Sequence, residues 1–218
     1  EAVKISRNDW ALFETAYEFN ISPLITRRRK SLAEDFEDYA VESSKRFSRM
    51  MLIETKINTI FNSIYNVEAE LSAEVESRLI TLSSNLHYRY KGKLTDVERL
   101  VRFRRDSACE LASYAIGCLM GRYSLDTPGL IYANSGNVDF DGSRYTKFPA
   151  DDDGIVPLTD KEWFADDAAN RLVEIISVAW DKQNIEENLT FLAANLSPKK
   201  GEDSRDTVRR YLCDNFYK

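Results

Sequence analysis

The chain has 218 residues and a formal net charge of −6, with 43% hydrophobic and 11% aromatic residues. That is enough apolar material to bury a core, which argues against a wholly disordered chain, and the length suits one domain or two small ones. The acidic balance weighs against a free-standing nucleic-acid binder, which usually carries a basic footprint. Only 8 Gly and 5 Pro are present, a scarcity that points away from a turn-rich all-β fold and toward helices. No apolar run approaches ~18 residues, so no membrane-spanning helix is expected. The first residue is Glu1 and no charged-then-apolar signal segment follows, which reads as an excised piece of a longer protein. Cys109, Cys118 and Cys213 form no C-x-x-C pair; reduced thiols in a cytoplasmic protein are expected.

In chain order, Trp10, Phe13 and Tyr17 fall at helical spacing. They predict a first helix capped by Ser6 and ended by Ser22-Pro23. The cations Arg27, Arg28, Arg29 and Lys30 follow without interruption. From Ser31 to about Ile64 two heptad rows run in parallel: Phe36, Ser43, Met50, Ile57, Ile64 and Leu32, Tyr39, Arg46, Ile53, Ile60. Only Ser43 and Arg46 break the apolar pattern, and no Gly or Pro interrupts it. This predicts one amphipathic helix, roughly 50 Å long at 1.5 Å per residue. A helix of that length needs a partner, in the same chain or in a second copy.

The partner expected within the chain is Thr95 to Gly121. Thr95 and Glu98 form a capping box at its start. Ser113, Gly117 and Gly121 make a small-residue column that predicts close approach of another backbone. Between the two helices, Glu68 to Glu76 reads as a short helix. Gly and Pro then crowd residues 122–157, which reads as a long ordered loop with Leu130 to Ala133 extended; such loops tend to be functional. Helical signals resume with a second capping box, Thr159 to Glu162, before Trp163-Phe164. An apolar stripe (Leu172, Ile175, Ile176, Ala179) lies within residues 167–180. Asn184 and Ser204 are read as caps of two further helices. Trp10, Trp163 and Trp180 lie on stripes and are expected in the core. The fold class is mainly α: a long antiparallel helical hairpin or bundle, the loop at 122–157, and a C-terminal group of shorter helices. The expected division is 1–121 and 122–218, with one continuous domain as the alternative.

No complete catalytic constellation is present. There is no G-x-G-x-x-G and no Walker loop, and the single histidine, His87, leaves few options for a triad or zinc site. Asn137, Asp139, Asp141 and Gly142 match part of a calcium loop, but Phe148 stands where the bidentate Glu belongs; a turn held by Asx side chains is the plainer reading. Asp151 to Asp153 reads as a solvated acidic turn rather than a cation site. Two segments suit nucleic acid. Arg27 to Lys30 is a compact cationic patch. The stretch from His87 to Lys93 interleaves Arg89, Lys91 and Lys93 with Tyr88 and Tyr90, which suits phosphate contact beside stacking. The alternative is that both are solvated helix ends.

Ile5 to Thr15 and, above all, Ser113 to Asp126 with Pro128 to Ile131 resemble the PglX family, the large adenine-specific DNA methyltransferases of BREX phage-defence systems. The run ISRNDWALFET, from Ile5 to Thr15, carries the likeness first. Phe61-Asn-Ser-Ile64-Tyr65 follows, then the most specific stretch, Ser113 to Asp126 with Pro128 to Ile131. Phe148-Pro149, Ile155-Val156-Pro157, Trp163-Phe164 and Asn184 to Leu189 continue it, and Tyr211 to Lys218 ends it. The resemblance implies a parent enzyme that moves a methyl group from S-adenosylmethionine to the exocyclic nitrogen of an extruded adenine. It places this segment downstream of the catalytic core. The cofactor loop and the Asn-Pro-Pro-Tyr-type motif of that core are not in the chain, so no catalytic residue carries over and no cofactor is expected within the segment. Implied partners are DNA through the parent, other domains of the methyltransferase, other BREX subunits or a second copy, and no membrane. The residues expected to meet phosphates are Arg27, Arg28, Arg29, Lys30, Arg89, Lys91 and Lys93.

Overall fold

The computed structural model describes residues 1–134 and 138–216. Among these, the α-helices are α1 (Ala2–Trp10), α2 (Leu32–Tyr65), α3 (Leu86–Arg89), α4 (Asp96–Leu119), α5 (Ala168–Ala179), α6 (Ile185–Asn195) and α7 (Ser204–Asp214), with no strand among the described residues. The mainly-α expectation holds. The chain forms two compact units, each drawn from two stretches: unit 1 is Glu1–Ala11 with Asp38–Phe103, and unit 2 is Leu12–Glu37 with Arg104–Lys218.

In unit 1 the stretch of α2 around Tyr39, Ser44 and Phe47 meets α4. The rings of Tyr39 and Phe103 lie 5.0 Å apart, while Ser44 and Phe47 share a depression with Asp96 and Arg99. Advancing along α2 thus means retreating along α4, so the helices run antiparallel. The two residues that break the apolar pattern contact one another, since Arg46 Nη2 donates to Ser43 Oγ at 3.1 Å. Burial pulls the Arg46 guanidinium below its ordinary value, opposed by Tyr39 and Asp9. Further along, Met50, Ile80 and Leu82 form a small core against Ala2, Ile5, Phe47, Met51 and Val75. The predicted helix at 68–76 does not form. Residues 68–70 form a turn and 71–76 carry no regular structure; α2 offers the stretch side-chain amides instead, with Asn58 Nδ2 donating to Ala73 O at 3.3 Å and Asn62 Nδ2 to Leu71 O at 2.9 Å. The capping box at α4 is real, with Glu98 N donating to Thr95 Oγ1 at 3.2 Å and Thr95 N to Glu98 Oε2 at 2.7 Å.

The predicted first helix is shifted toward the N-terminus. α1 ends at Trp10, and residues 11–19 turn instead, with Ala16 N bonded to Phe13 O and Phe19 N to Ala16 O. The reason lies in unit 2, where Phe19 sits edge-on to Tyr114 and Tyr123, 6.0 and 5.2 Å away. Tyr114 and Tyr123 stack at 5.3 Å. Gly117 makes this stack possible, since a Cβ there would lie 2.7 Å from the Tyr123 ring. The small-residue column therefore admits an aromatic side chain, not another backbone. α4 then closes with a Schellman motif: Arg122 N bonds Gly117 O and Gly121 N bonds Cys118 O, and Gly121 holds the left-handed position at φ 73°.

Beyond it, Phe148 is buried with the Arg171 guanidinium 4.3 Å over its ring. The Thr159 box does not start a helix; Thr159 Oγ1 donates to Lys161 O and Glu162 accepts from Asn170. Asp167 is the true cap, accepting from Asn170 N at 2.9 Å while its other oxygen pairs with Arg209. Asn184 caps nothing with its side chain; it donates to Lys30 O at 2.8 Å. The cap of α7 is Asp203, one residue before Ser204. Of the three tryptophans only Trp180 is in the core; Trp10 and Trp163 are exposed. Cys109, Cys118 and Cys213 are free thiols, and burial pushes Cys118 up to about 12.

Candidate nucleic-acid interface

The first cationic segment belongs to unit 2 and precedes α2. Its backbone is fixed by the acidic first turn of that helix. Arg29 N donates to both Asp35 oxygens, at 3.2 and 3.1 Å, and Lys30 N to Glu34 Oε2 at 3.3 Å. Asp35 also takes the Trp180 indole N–H at 2.6 Å. Arg28 adopts φ 50°, rare for a residue with a Cβ, and its Nη2 donates to Leu125 O at 3.3 Å. Carboxylates thus hold the main chain while the side chains of Arg27, Arg28, Arg29 and Lys30 stay exposed. Arg28, Arg29 and Lys30 line one wall of an open depression of about 500 Å³; Glu34, Trp180 and Asp181 line the other.

The second segment lies in unit 1. Asn85 caps the single turn of α3, accepting from His87 N at 3.1 Å, and donates to Ser77 O and Ile80 O at 2.7 Å each. The turn then sorts its residues by side. Arg89 is half-buried, with its guanidinium 5.5 Å from the Tyr90 ring and 5.8 Å from Phe103. Lys91 is exposed, its Nζ 5.9 Å from the Tyr88 ring. Lys93 is exposed as well.

Arg89 and Lys93 do not line the same depression as Lys91. Lys91 shares a depression of about 720 Å³ with Arg78, His87, Tyr88 and Arg99. Arg99 holds the preceding turn together, donating to Leu94 O and to Gly92 O, and pairs with Asp96. Arg78 pairs with Glu76 in the open, a contact worth little in water. Arg78 and Arg99 carry no local sequence signal for this role, because only the fold of residues 76–80 against α3 and α4 brings them to Lys91. His87 lines the same depression, with its ring 6.2 Å from Phe47 and its Nε2 3.7 Å from Asp96.

Of the other candidates, Asn137 lies outside the described residues. Asp141 accepts from Ser143 N and Oγ, and Asp151 from Asp153 N and Ile155 N, as Asx turns. No group of three or more His, Cys, Asp or Glu with metal-binding geometry occurs among the described residues, and no helix there is long and apolar enough to cross a membrane.

Known proteins match this chain along its length. The chain is 42% identical over 228 residues to the adenine-specific methyltransferase BrxX of Escherichia coli O9:H4 (strain HS), a match spanning 100% of this chain and 19% of that protein. This is a PglX-like sequence. The adenine-specific methyltransferase PglX of Lacticaseibacillus casei (strain Zhang) is 33% identical over 223 residues, covering 99% of this chain and 17% of the relative. No protein-family model matches the chain. The chain spans less than one fifth of the length of these curated relatives. The PglX likeness drawn from short motifs thus extends along the whole segment.

Proposed function

We propose that this chain is a non-catalytic helical segment of an adenine-specific N6 DNA methyltransferase of a BREX phage-defence system, supporting contact with the DNA backbone and docking between parts of the parent enzyme. The match to two adenine-specific methyltransferases along the whole of this chain supports the parent named in this reading. In this reading no cofactor is assigned to the segment, whose described residues include no strand from which a glycine-rich strand-to-helix turn could start. Cofactor and chemistry belong to the remainder of the parent. This segment supplies cations at two places, Arg27–Lys30 in unit 2 and Lys91 with Arg78 and Arg99 in unit 1. Phosphate contacts position a duplex without reading its sequence, a role that needs no catalytic residue.

A second reading has its own observation. On the far half of α2, Ile57, Ile60, Phe61 and Ile64 are 42%, 49%, 54% and 65% exposed. They continue the apolar rows that the near half buries, which suits a docking or dimerisation scaffold without DNA contact. Size-exclusion chromatography with light scattering, run with and without duplex DNA, separates the two. A monomer that shifts onto DNA at low salt supports the first; a concentration-dependent dimer with no DNA shift supports the second.

A further inference from the structure

Unit 1 contains a pocket that the backbone contacts proposed above do not use. It measures about 260 Å³ and lies among α2, α3 and α4. That is below the ~300–1,000 Å³ of sites for drug-sized ligands, so it suits about one ring system. Phe47 and His87 form an aromatic wall, their rings 6.2 Å apart and tilted by 37°. Ser84 and Arg99 line it too. Ser84 is 2% exposed, yet its Oγ has no hydrogen-bond partner among the described residues, and neither has Arg99 Nε. Buried polar atoms are nearly always paired, and leaving one unmade is costly. Ser84 Oγ and Arg99 Nε are thus unpaired polar atoms of residues that line this pocket beside Phe47 and His87.

His87 and Arg99 also line the neighbouring depression, which adds Arg78, Tyr88 and Lys91. No carboxylate lines that depression; Glu76 and Asp96 hold Arg78 and Arg99 from outside it. One side of the His87–Arg99 pair therefore suits a planar ring with hydrogen-bonding edges, and the other suits an anion. The geometry points to a site for one nucleotide, with the base against Phe47 and Ser84 and the phosphate against Arg78 and Lys91. Stacking and cationic contact together are what hold single nucleotides on proteins. The same chemistry serves a free nucleotide or one extruded from DNA; its phosphate end shares Arg78 and Lys91 with the backbone contacts proposed above, and its base end, Phe47 and Ser84, is separate from them.

The test is calorimetric titration of the 218-residue chain with 5′-dAMP and 5′-dTMP, with deoxyadenosine and inorganic phosphate as controls. At least one mononucleotide saturates. Ser84→Ala weakens it by roughly three- to tenfold, the worth of one hydrogen bond, and weakens deoxyadenosine alike. Lys91→Ala, at an exposed position, weakens the mononucleotide and its salt dependence but leaves deoxyadenosine unchanged. Competition with a single-stranded oligodeoxynucleotide identifies the source. Ser84-dependent displacement of dAMP points to nucleic acid, and no displacement points to a free nucleotide; either keeps the site. The site is overturned if neither mononucleotide saturates, if phosphate binds as well as dAMP, or if binding ignores both substitutions. Duplex binding lost in Lys91→Ala without mononucleotide binding would overturn this pocket and leave the backbone contacts in place.

Discussion

The two units use the same helical periodicity to different ends. In unit 2 the helices close their apolar faces on one another, although Tyr17, Ile155 and Trp163 stay exposed: Phe19, Tyr114 and Tyr123 pack together, Phe148 lies under Arg171, and α5, α6 and α7 bury Leu172, Ile175, Ile176, Leu189, Leu192, Val208 and Leu212. In unit 1 the buried hydrophobics are Tyr39, Met50, Ile80, Leu82, Tyr90 and Phe103, while the far half of α2 keeps its isoleucines in the open. A heptad row specifies a helix with one apolar side; it does not specify what covers that side. Unit 2 holds the larger closed core, and unit 1 leaves the apolar side chains of the far half of α2 exposed.

If that contrast is right, substitutions in unit 2 cost the most. Phe148→Ala removes a buried ring and the platform under Arg171, and is expected to destabilise by about 3–5 kcal/mol, read from urea unfolding. Gly117→Ala follows, at about 1–3 kcal/mol, because a Cβ collides with the Tyr123 ring and the aromatic stack cannot shift freely. Thr95→Ala, in the capping box at the start of α4, costs about 1 kcal/mol. If Gly117→Ala proves harmless, the tight packing assigned to unit 2 is wrong.

Acid separates the units more gently. Arg210, with Lys199 N and Thr207, holds the Glu202 carboxyl at about 2, against an ordinary value of 4.5. A depressed carboxyl stabilises fully above its unfolded value and loses that contribution as pH falls toward its folded value. Unfolding midpoints of the native chain therefore decline between pH 4.5 and about 2, and Glu202→Gln flattens that decline. The smallest effect is expected on the open face of α2. Ile60→Asn changes monomer stability by no more than about 0.5 kcal/mol, while removing any self-association seen by light scattering. A large loss of stability there would mean the face is covered within the chain after all.

What the sequence disclosed follows the same line. The long α2 and the Thr95–Glu98 box were legible because their signals are local: an unbroken period and a side chain within reach of its own helix end. Decoys came from equally local patterns that tertiary contacts outbid. Thr159 and Glu162 have box spacing, but Asp167, anchored by Arg209, starts the helix instead. Trp10 and Tyr17 share a helical period, yet Phe19 is drawn into the Tyr114–Tyr123 cluster and the chain turns. A division at residue 121 follows composition, whereas the compact units follow packing. At the site, Lys91 was visible as a cation among aromatics. Arg78 and Arg99 were not, since each sits in an ordinary charged context and gains its place only from the fold.

The central claim is that this segment touches DNA phosphates, and salt dependence tests it most directly. Fluorescence anisotropy of a labelled duplex, titrated with the 218-residue chain across a range of salt, should show affinity falling linearly on a log–log plot. Lys91→Ala and Lys30→Ala should each reduce the slope by about 0.9, one phosphate contact apiece. No detectable binding at low salt, or a slope indifferent to both substitutions, would contradict the account.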